Sequence, residues 1–301
     1  MDSIIAKWKE IVNWQRANLP DPPSDFGDPA DKSQIKKIES LLGEKVPEDF
    51  RKLYAFSDGE KNREFGLLFG HELADTNQII NSLEFSHTLI KPEHPEVTTP
   101  KQSDKLVKKI IEFYTSRILL SSWHRLEFTC APGSYGGPRL YVTETTLSSD
   151  YYIEEYDLLE PVLKELHQLE KESYNWNELK CIVFPDGRYD LKRTYYNFDE
   201  DIPFTSSPEG AIKKKYFHYK WLPVFSDYGG NYIGIDLDPD VRGKKGQIIN
   251  FGRDEEDMVV IADHLESFFD FILNEIKHNG AAELKTGTHL HDVIKTIIKN
   301  R

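Results

Sequence analysis

One run in the C-terminal half of this 301-residue chain constrains the fold more than any other. Residues 221–226 and 232–237 are apolar runs of the β type, and the segment Asp227-Tyr228-Gly229-Gly230-Asn231 lies between them. Glycine and asparagine tolerate positive φ angles, so this pattern predicts a β-hairpin. A third strand is predicted over residues 246–254, and a helix with an apolar, aromatic face is predicted to begin near Ala262.

Four short motifs follow one another in this region. They are Trp-x-Pro from Trp221, Gly-Gly-Asn from Gly229, Asp-x-Asp-Pro from Asp236 and Gly-x-x-Gly-Gln-Ile-Ile from Gly243. Their order and spacing resemble the SUKH superfamily, which includes the fungal Smi/Knr cell-wall-assembly regulators and many bacterial immunity proteins that neutralise toxins. The resemblance implies an α+β fold with a mixed sheet flanked by helices, and a function exerted through partner binding.

Residues 1–91 are predicted to supply the N-terminal part of this SUKH-like domain. Apolar residues at helical spacing predict an N-terminal helix, followed by an irregular connector over residues 19–29. Two helices are predicted next, one capped by Ser33 and ended by Gly43 and one opened by Pro47. This pair resembles the opening helices of the SUKH fold, with Val46 where leucine is usual. A first strand is predicted over residues 65–70 and a further helix over residues 75–83.

The hairpin at Trp221 comes much later than the resemblance to a compact SUKH protein would imply. A structureless connection of that length is uncommon inside a compact domain, so residues 92–216 are predicted to form an inserted domain. Residues 217–280 then complete the SUKH-like domain, and residues 281–301 form a C-terminal helical tail. Within the insert, helices are predicted from Ser103 and over residues 157–172, and strands over residues 125–130, 139–142, 179–184 and 189–196.

The insert has a resemblance of its own. Trp123, Trp176 and the segment Phe184-Pro185-Asp186-Gly187-Arg188-Tyr189-Asp190 resemble the YezG-like family of bacterial immunity proteins. Asp186-Gly187 between two alternating runs also predicts a hairpin. The second resemblance implies a second α+β domain with an antiparallel sheet, placed inside the first.

The charge of the chain bears on its partners. A net charge of −13 argues against a nucleic-acid or anionic-membrane partner, and it fits either a basic partner or solubility alone. Residues 144–172 hold nine acidic residues against two lysines, with tyrosines interleaved. This run is either a solvated face or a surface that occupies the basic cleft of a nuclease toxin. The candidate partner-binding residues are Tyr151, Tyr152, Glu154, Glu155, Asp157 and Glu160, with a second set of Asp227, Tyr228, Asp236 and Asp238.

The sequence contains no recognisable catalytic, metal or cofactor constellation. Asp236, Asp238 and Asp240 have the alternate spacing of a calcium loop, but Val241 and Gln247 stand where that loop needs glycine and glutamate. We therefore interpret Asp236 as a strand-end residue that satisfies loop amides. The segment His289-Leu290-His291-Asp292 lacks a third ligand at a known spacing. Neither a cofactor nor an enzymatic activity is predicted.

Cysteine content and hydropathy indicate a compartment. Cys130 and Cys181 cannot form a disulfide framework and are interpreted as buried free thiols. Neither a signal peptide nor a membrane-spanning run is recognisable, so the chain is expected to be cytoplasmic. The two resemblances imply an immunity protein that binds a cognate toxin. The alternative is a Smi/Knr-like regulatory scaffold, and the oligomeric state is not predicted.

Overall fold

A computed structural model describes residues 3–61, 66–90, 102–116, 123–130, 139–143, 148–151, 158–171, 176–195, 203–279 and 290–299. The chain divides into two compact units. Unit 1 comprises Met1–Glu84 and Phe198–Arg301, and unit 2 comprises Phe85–Asn197. The described elements confirm the α+β class.

The helices and strands are numbered in chain order. The helices are α1 (Ser3–Asn18), α2 (Lys32–Leu42), α3 (Glu48–Phe56), α4 (Thr76–Thr88), α5 (Ser103–Thr115), α6 (Glu160–Glu170), α7 (Leu265–Asn279) and α8 (Leu290–Lys299). The strands are β1 (Glu72–Leu73), β2 (Arg125–Cys130), β3 (Arg139–Thr143), β4 (Ser148–Tyr151), β5 (Glu178–Val183), β6 (Tyr189–Thr194), β7 (Thr205–Ser207), β8 (Trp221–Ser226), β9 (Asn231–Asp236), β10 (Gln247–Gly252) and β11 (Asp257–Ala262).

Unit 1 is built on a mixed six-stranded sheet in the order β1-β8-β9-β10-β11-β7. The predicted hairpin is present as β8 and β9, with Trp221 opposite Asp236. All neighbours are antiparallel except β7, which runs parallel to β11. Strand β11 was not predicted.

Apolar side chains lie on both faces of this sheet. One face, which carries Leu222, Ile233 and Ile248, packs in a core with α1, α3 and α7. The other face contributes Trp221, Tyr232, Ile249, Phe251 and Met258 to a second core, together with Phe204, Ala211 and Ile212. Both faces of the central strands are therefore covered, which explains why β8, β9 and β10 are buried at every position.

The packing of residues 198–216 shifts the boundary of the insertion. The predicted insert ends at residue 216, whereas the structure assigns residues from Phe198 onward to unit 1. Two contacts account for this assignment, because β7 pairs with β11 and Ile212 packs on the second face of the sheet. The start of the second unit likewise lies at Phe85 rather than at residue 92.

Two local predictions in the N-terminal part were wrong. The cap of α2 is Asp31, whose carboxylate accepts the Ser33 amide at 2.7 Å, so Ser33 is inside the helix. Gly43 ends the helix as predicted, with a φ of 69° that favours glycine. The described residues 66–70 form a tight turn with isolated bridges rather than a strand, and Glu72–Leu73 pairs with β8 instead.

Unit 2 contains a five-stranded antiparallel sheet in the order β4-β3-β2-β5-β6. Helices α5 and α6 pack on each other and share a core with Phe128 and Trp176. Hairpin β5–β6 turns at Asp186-Gly187 as predicted, and Gly187 has a φ of 83°. The thiol of Cys181 is buried in this core, and burial raises its pKa to about 12.

Candidate interaction site

A groove of about 450 Å³ lies in unit 1. Three segments distant in sequence line it: the end of α2 and the start of α3, the end of β9 with the loop before β10, and the start of α7. Its lining residues are Glu44, Lys45, Pro47, Asp49, Ile235, Leu237, Lys245, Gly246, His264 and Leu265.

The local chain geometry follows from a few residues that begin or end these elements. Pro47 precedes α3 with extended backbone, and this residue has a fixed φ that suits the entry to a helix. Gly246 has a φ of 92°, which glycine adopts without strain, and its amide donates to the Asp236 carbonyl at 2.7 Å. These turns place the two loops of the groove walls.

The floor of the groove is apolar. Ile235, Leu237 and Leu265 are 1%, 4% and 2% exposed, and all three also belong to the first core of unit 1. Because the floor is continuous with that core, its position is fixed by the packing of β9 against α7. The floor offers contact to an apolar group on a ligand.

Two carboxylates beside the groove each hold two cations. Glu44 forms salt bridges with Nζ of Lys220, at 2.8 Å, and with Nζ of Lys245. Burial would raise the pKa of Glu44, but the hydrogen bonds from both lysines outweigh it and lower the pKa. The lining of the groove therefore carries two acids, Glu44 and Asp49, and two lysines, Lys45 and Lys245.

The second of these carboxylates is Glu39. It binds Lys45 at 2.7 Å and Arg51 at 2.9 Å. The hydrogen bond from Lys45, joined by that from Arg51, lowers the pKa of Glu39 against the effect of burial.

The start of α7 is held by a side chain of α3. Oδ2 of Asp49 accepts the Glu266 amide at 3.3 Å and lies 3.4 Å from Nδ1 of His264. The same His264 nitrogen accepts the Ser267 amide at 3.2 Å. Nδ1 cannot accept from that amide and donate to Asp49 at once, so a hydrogen bond to Asp49 forms only when Nδ1 carries a hydrogen atom.

The predicted residues Asp227 and Tyr228 lie at the other end of β9, in the β8–β9 turn. Asp227 accepts the amides of Gly229 at 2.7 Å and Asn231 at 2.9 Å. Burial would raise the pKa of Asp227, but these hydrogen bonds lower it overall. Tyr228 is 50% exposed and has a φ of 64°, an uncommon angle for a residue other than glycine.

Asp236 is not a surface residue, which corrects its place among the candidate partner-binding residues. Its side chain is fully buried and accepts hydrogen bonds from the Trp221 indole, the Gln247 amide group and the backbone of Asp238. Burial raises its pKa to about 6 against these bonds. The interpretation of Asp236 as a strand-end residue that satisfies a loop amide is confirmed.

Asp238 follows β9 and is partly exposed. Its carboxylate binds Lys213, and Oδ2 also lies 3.4 Å from Nε2 of His218. The hydrogen bond from Lys213 is the main cause of its lowered pKa. Because Asp227 and Asp238 flank opposite ends of β9, the structure does not bring the second predicted set together.

The candidate residues of the acidic run lie in unit 2. Tyr151 ends β4, and Glu160 begins α6, where it pairs with Lys164 at 3.1 Å. Tyr152, Glu154, Glu155 and Asp157 lie outside the described residues.

One member of the acidic run is internal. Glu170 is 0% exposed, binds Arg193 through both carboxylate oxygens and accepts the Trp176 indole N–H at 2.9 Å. Charge runs in a sequence therefore overstate the acidic surface, because Glu170 belongs to the core of unit 2.

The described residues contain no group of three or more histidine, cysteine, aspartate or glutamate side chains that could hold a metal ion. His291 instead lies 3.4 Å from a buried His71 nitrogen, where α8 packs on the sheet. None of the described helices combines the length and hydrophobicity that crossing a bilayer requires.

The comparisons with known proteins agree with the hairpin motifs. Residues 129–270 match the model of the SMI1 / KNR4 family (SUKH-1). This range contains the hairpin, β10, β11 and the start of α7. This match supports the SUKH superfamily for that part of the chain. The matched range begins inside unit 2, and the resemblance of the insert to YezG-like proteins stays a prediction.

Three relatives illustrate the similarity of this chain to fungal proteins. It is 22% identical to the cell wall assembly regulator SMI1 of Saccharomyces cerevisiae, over 91% of this chain and 40% of that protein. It is 25% identical to KNR4/SMI1 homolog 1 of Debaryomyces hansenii, over 90% and 50%. It is 20% identical to the glucan synthesis regulatory protein of Neurospora crassa, over 91% and 38%. The chain thus spans half or less of the length of these relatives.

The groove was not predicted from the sequence. Lys45 and His264 lie in no motif, and Lys245 lies in the Gly-x-x-Gly-Gln-Ile-Ile motif only at a position that the motif leaves open. No periodicity could have joined them, because the groove forms only when α3, β9 and α7 pack together.

Proposed function

We propose that this chain is a regulatory protein that binds a partner protein, in the manner suggested by relatives named for cell wall assembly and glucan synthesis. It acts by binding and not by catalysis. The observation that carries the proposal is the groove in the unit that contains the SUKH hairpin, with an apolar floor between charged walls. This combination of a desolvated centre and a polar rim is typical of protein interfaces.

The competing hypothesis is toxin neutralisation through the acidic run. The relatives favour regulation over it, since their names refer to cell wall and glucan synthesis. Among the described members of the run, Glu160 is paired with Lys164 and Glu170 is buried. Toxin binding therefore stays a prediction, and regulation is the function that we put forward.

The proposal can be tested in a chimera. The matching segment of the Saccharomyces cerevisiae regulator would be replaced by this chain, because the chain corresponds to only 40% of that protein. In cells that lack the native regulator, we expect the chimera to restore growth on a compound that damages the cell wall. Growth across a dilution series would be measured, with immunoblotting to equalise protein amounts.

A groove variant and a matched control sharpen this test. Lys45→Glu with Lys245→Glu reverses two charges that line the groove, and Lys214→Glu with Lys277→Glu reverses two comparably exposed charges elsewhere in unit 1. We expect the first pair to lose the rescue and the second to keep it. A stable wild-type chimera that restores no growth would count against the regulatory proposal.

A further inference from the structure

We infer that the groove docks an extended, acidic segment of the partner protein. Apolar side chains of that segment would contact the floor, and its carboxylates would bind the lysines of the walls. This inference rests on the proposed function and adds the chemistry of the partner. It differs from the basic partner that the net charge of the whole chain suggests.

The charges that line the groove are unevenly exposed. Side-chain exposure is 79% for Lys45 and 59% for Lys245, but only 21% for Glu44 and 28% for Asp49. The two lysines are thus more exposed to solvent than the two carboxylates. A ligand that approaches the groove meets ammonium groups first. Beyond the lining, Lys244 pairs with Asp263 at similar exposure, so this neighbouring pair adds no net charge.

Glu44 and Glu39 each bind two cations, a more exposed lysine and a less exposed cation. We call the less exposed one the inner cation and the more exposed lysine the outer one. Glu44 has the inner Lys220, whose side chain is 23% exposed, in addition to Lys245. If Lys245 turns to a partner carboxylate, Lys220 still compensates Glu44. A lysine ammonium group also has three donors and can bind two carboxylates at once.

Glu39 is held in the same way. Arg51 compensates Glu39 if Lys45 turns outward, although Arg51 also lies 3.6 Å from the exposed Glu48. Lys45 and Lys245 can therefore turn to a partner carboxylate at a small cost in free energy, because neither movement leaves a buried carboxylate without a cation.

The lining and the openness of the groove also suit such a segment. Ile235, Leu237 and Leu265 form an apolar floor, and Lys45 and Lys245 line the same groove. The groove is partly open to solvent, so a bound group stays partly exposed. Small-molecule sites bury most of their ligand, whereas an open groove suits a chain segment with one exposed side.

The net charge of −13 repels an acidic segment docked at the groove only weakly. Exposed charges farther than about 8 Å are largely screened at physiological ionic strength. The lysines at the groove act on a docked segment directly. A short acidic segment is favoured over a large acidic surface for the same reason.

The experiment uses the full chain and three short fluorescein-labelled peptides in which leucine alternates with aspartate, serine or lysine. Fluorescence anisotropy would measure binding at low and high salt. We expect the aspartate peptide to bind, with an affinity that falls as the salt concentration rises. The serine and lysine peptides should bind at least about tenfold more weakly. Methyl NMR of Ile235, Leu237 and Leu265 should show shifts on addition of the aspartate peptide.

Variants place the binding at the groove. The double variant Lys45→Glu with Lys245→Glu should weaken binding of the aspartate peptide at least about tenfold. The control variant Lys214→Glu with Lys277→Glu should leave this binding unchanged. Lys45→Ser with Lys245→Ser is the milder variant, since the inner cations still compensate Glu39 and Glu44. Its unfolding midpoint should match the wild type while its binding falls.

Several outcomes would overturn the inference. They are no binding of the aspartate peptide, equal binding of the serine peptide, or equal loss in the groove and control variants. A chimera that restores growth while the peptide fails to bind would reject the acidic occupant and leave the regulatory function standing. A chimera that restores no growth while the peptide binds at the groove would reject the regulatory function and leave the acidic occupant standing.

Discussion

Trp221 is 1% exposed in the second core of unit 1, and its indole N–H lies 3.1 Å from Oδ1 of Asp236. The same carboxylate accepts Nε2 of Gln247 at 2.9 Å. One aromatic residue thus fills the core and satisfies a buried acid. Trp221 opens the first strand of the predicted hairpin, and its burial places the Trp-x-Pro motif in the core.

We expect Trp221→Ala to lower the free energy of unfolding by about 3–5 kcal/mol, because it removes a large buried side chain and leaves a cavity. Urea denaturation followed by circular dichroism would measure the change. Trp14→Ala is the control, since Trp14 is only partly buried against the first core and should cost less. An unchanged midpoint with loss of partner binding would instead identify Trp221 as a binding residue.

Glu60 is a second residue whose environment determines its chemistry. Oε1 accepts the backbone amides of Leu67 at 2.7 Å and Leu73 at 2.9 Å, which organises the turn before β1. Burial is the main influence and raises its pKa to about 7, although these amides act in the opposite direction. The folded protein therefore binds a proton here at a pH where the unfolded chain does not.

This shift has a sign that experiment can check. The pKa of Glu60 in the folded protein lies above its unfolded value near 4.5. The stability that Glu60 contributes is therefore present at acid pH and is lost as pH rises through about 7. Glu60→Gln should be more stable than the wild type above pH 7, by at most about 3 kcal/mol. The difference should vanish below about pH 4.5, and an equal difference at all pH values would contradict the account. Urea titrations across this range would measure it.

At the scale of elements, the β8–β9 turn is stabilised by Asp227 but carries a cost at Tyr228. Asp227 accepts two backbone amides and the Asn231 side chain. Tyr228 has a φ of 64°, which the Cβ atom disfavours by roughly 1–2 kcal/mol. Hydrogen bonding in the turn therefore offsets backbone strain.

We expect Tyr228→Asn to raise the free energy of unfolding by about 0.5–1 kcal/mol, since asparagine tolerates this conformation better than tyrosine. Thermal unfolding by calorimetry would measure the gain. Tyr219→Asn is the control, because Tyr219 has no positive φ and stacks on His218, so it should bring no gain. A loss of stability in Tyr228→Asn would show that ring contacts outweigh the strain.

At the scale of the whole molecule, the chain forms two compact units, of which unit 1 is discontinuous in sequence. In unit 2, the Tyr195 hydroxyl donates to the Leu89 carbonyl, so the described ends of this unit lie close together. A segment whose ends meet can be exchanged for a short linker, because loop-closure entropy changes slowly with length.

We expect replacement of residues 91–200 by a Gly/Ser linker to leave unit 1 cooperatively folded, since its two cores contain no described residue from that range. Differential scanning calorimetry should show one sharp transition, and the full chain is the reference. The aspartate peptide should still bind, because the groove lies wholly in unit 1. A product without a cooperative transition would show that unit 1 depends on unit 2.

The sequence by itself determined the elements whose signals are local. The buried face of α1, the bounds of β2 and the β8–β9 hairpin were all predicted, because periodicity and turn chemistry act over a few residues. The hairpin motifs also indicated the SUKH superfamily, which the family match supports.

Tertiary structure decided the features that depend on distant partners. Residues 66–70 have a strand-like composition, yet β8 pairs with Glu72–Leu73. Glu170 belongs to the acidic run that was predicted to be exposed, and Asp236 was among the candidate partner-binding residues, yet both are buried, where an arginine or an indole binds them. The groove is the clearest case, since its lysines and its floor come from loops and strands that only long-range packing brings together. Local sequence cannot encode such contacts, because each depends on residues far away along the chain.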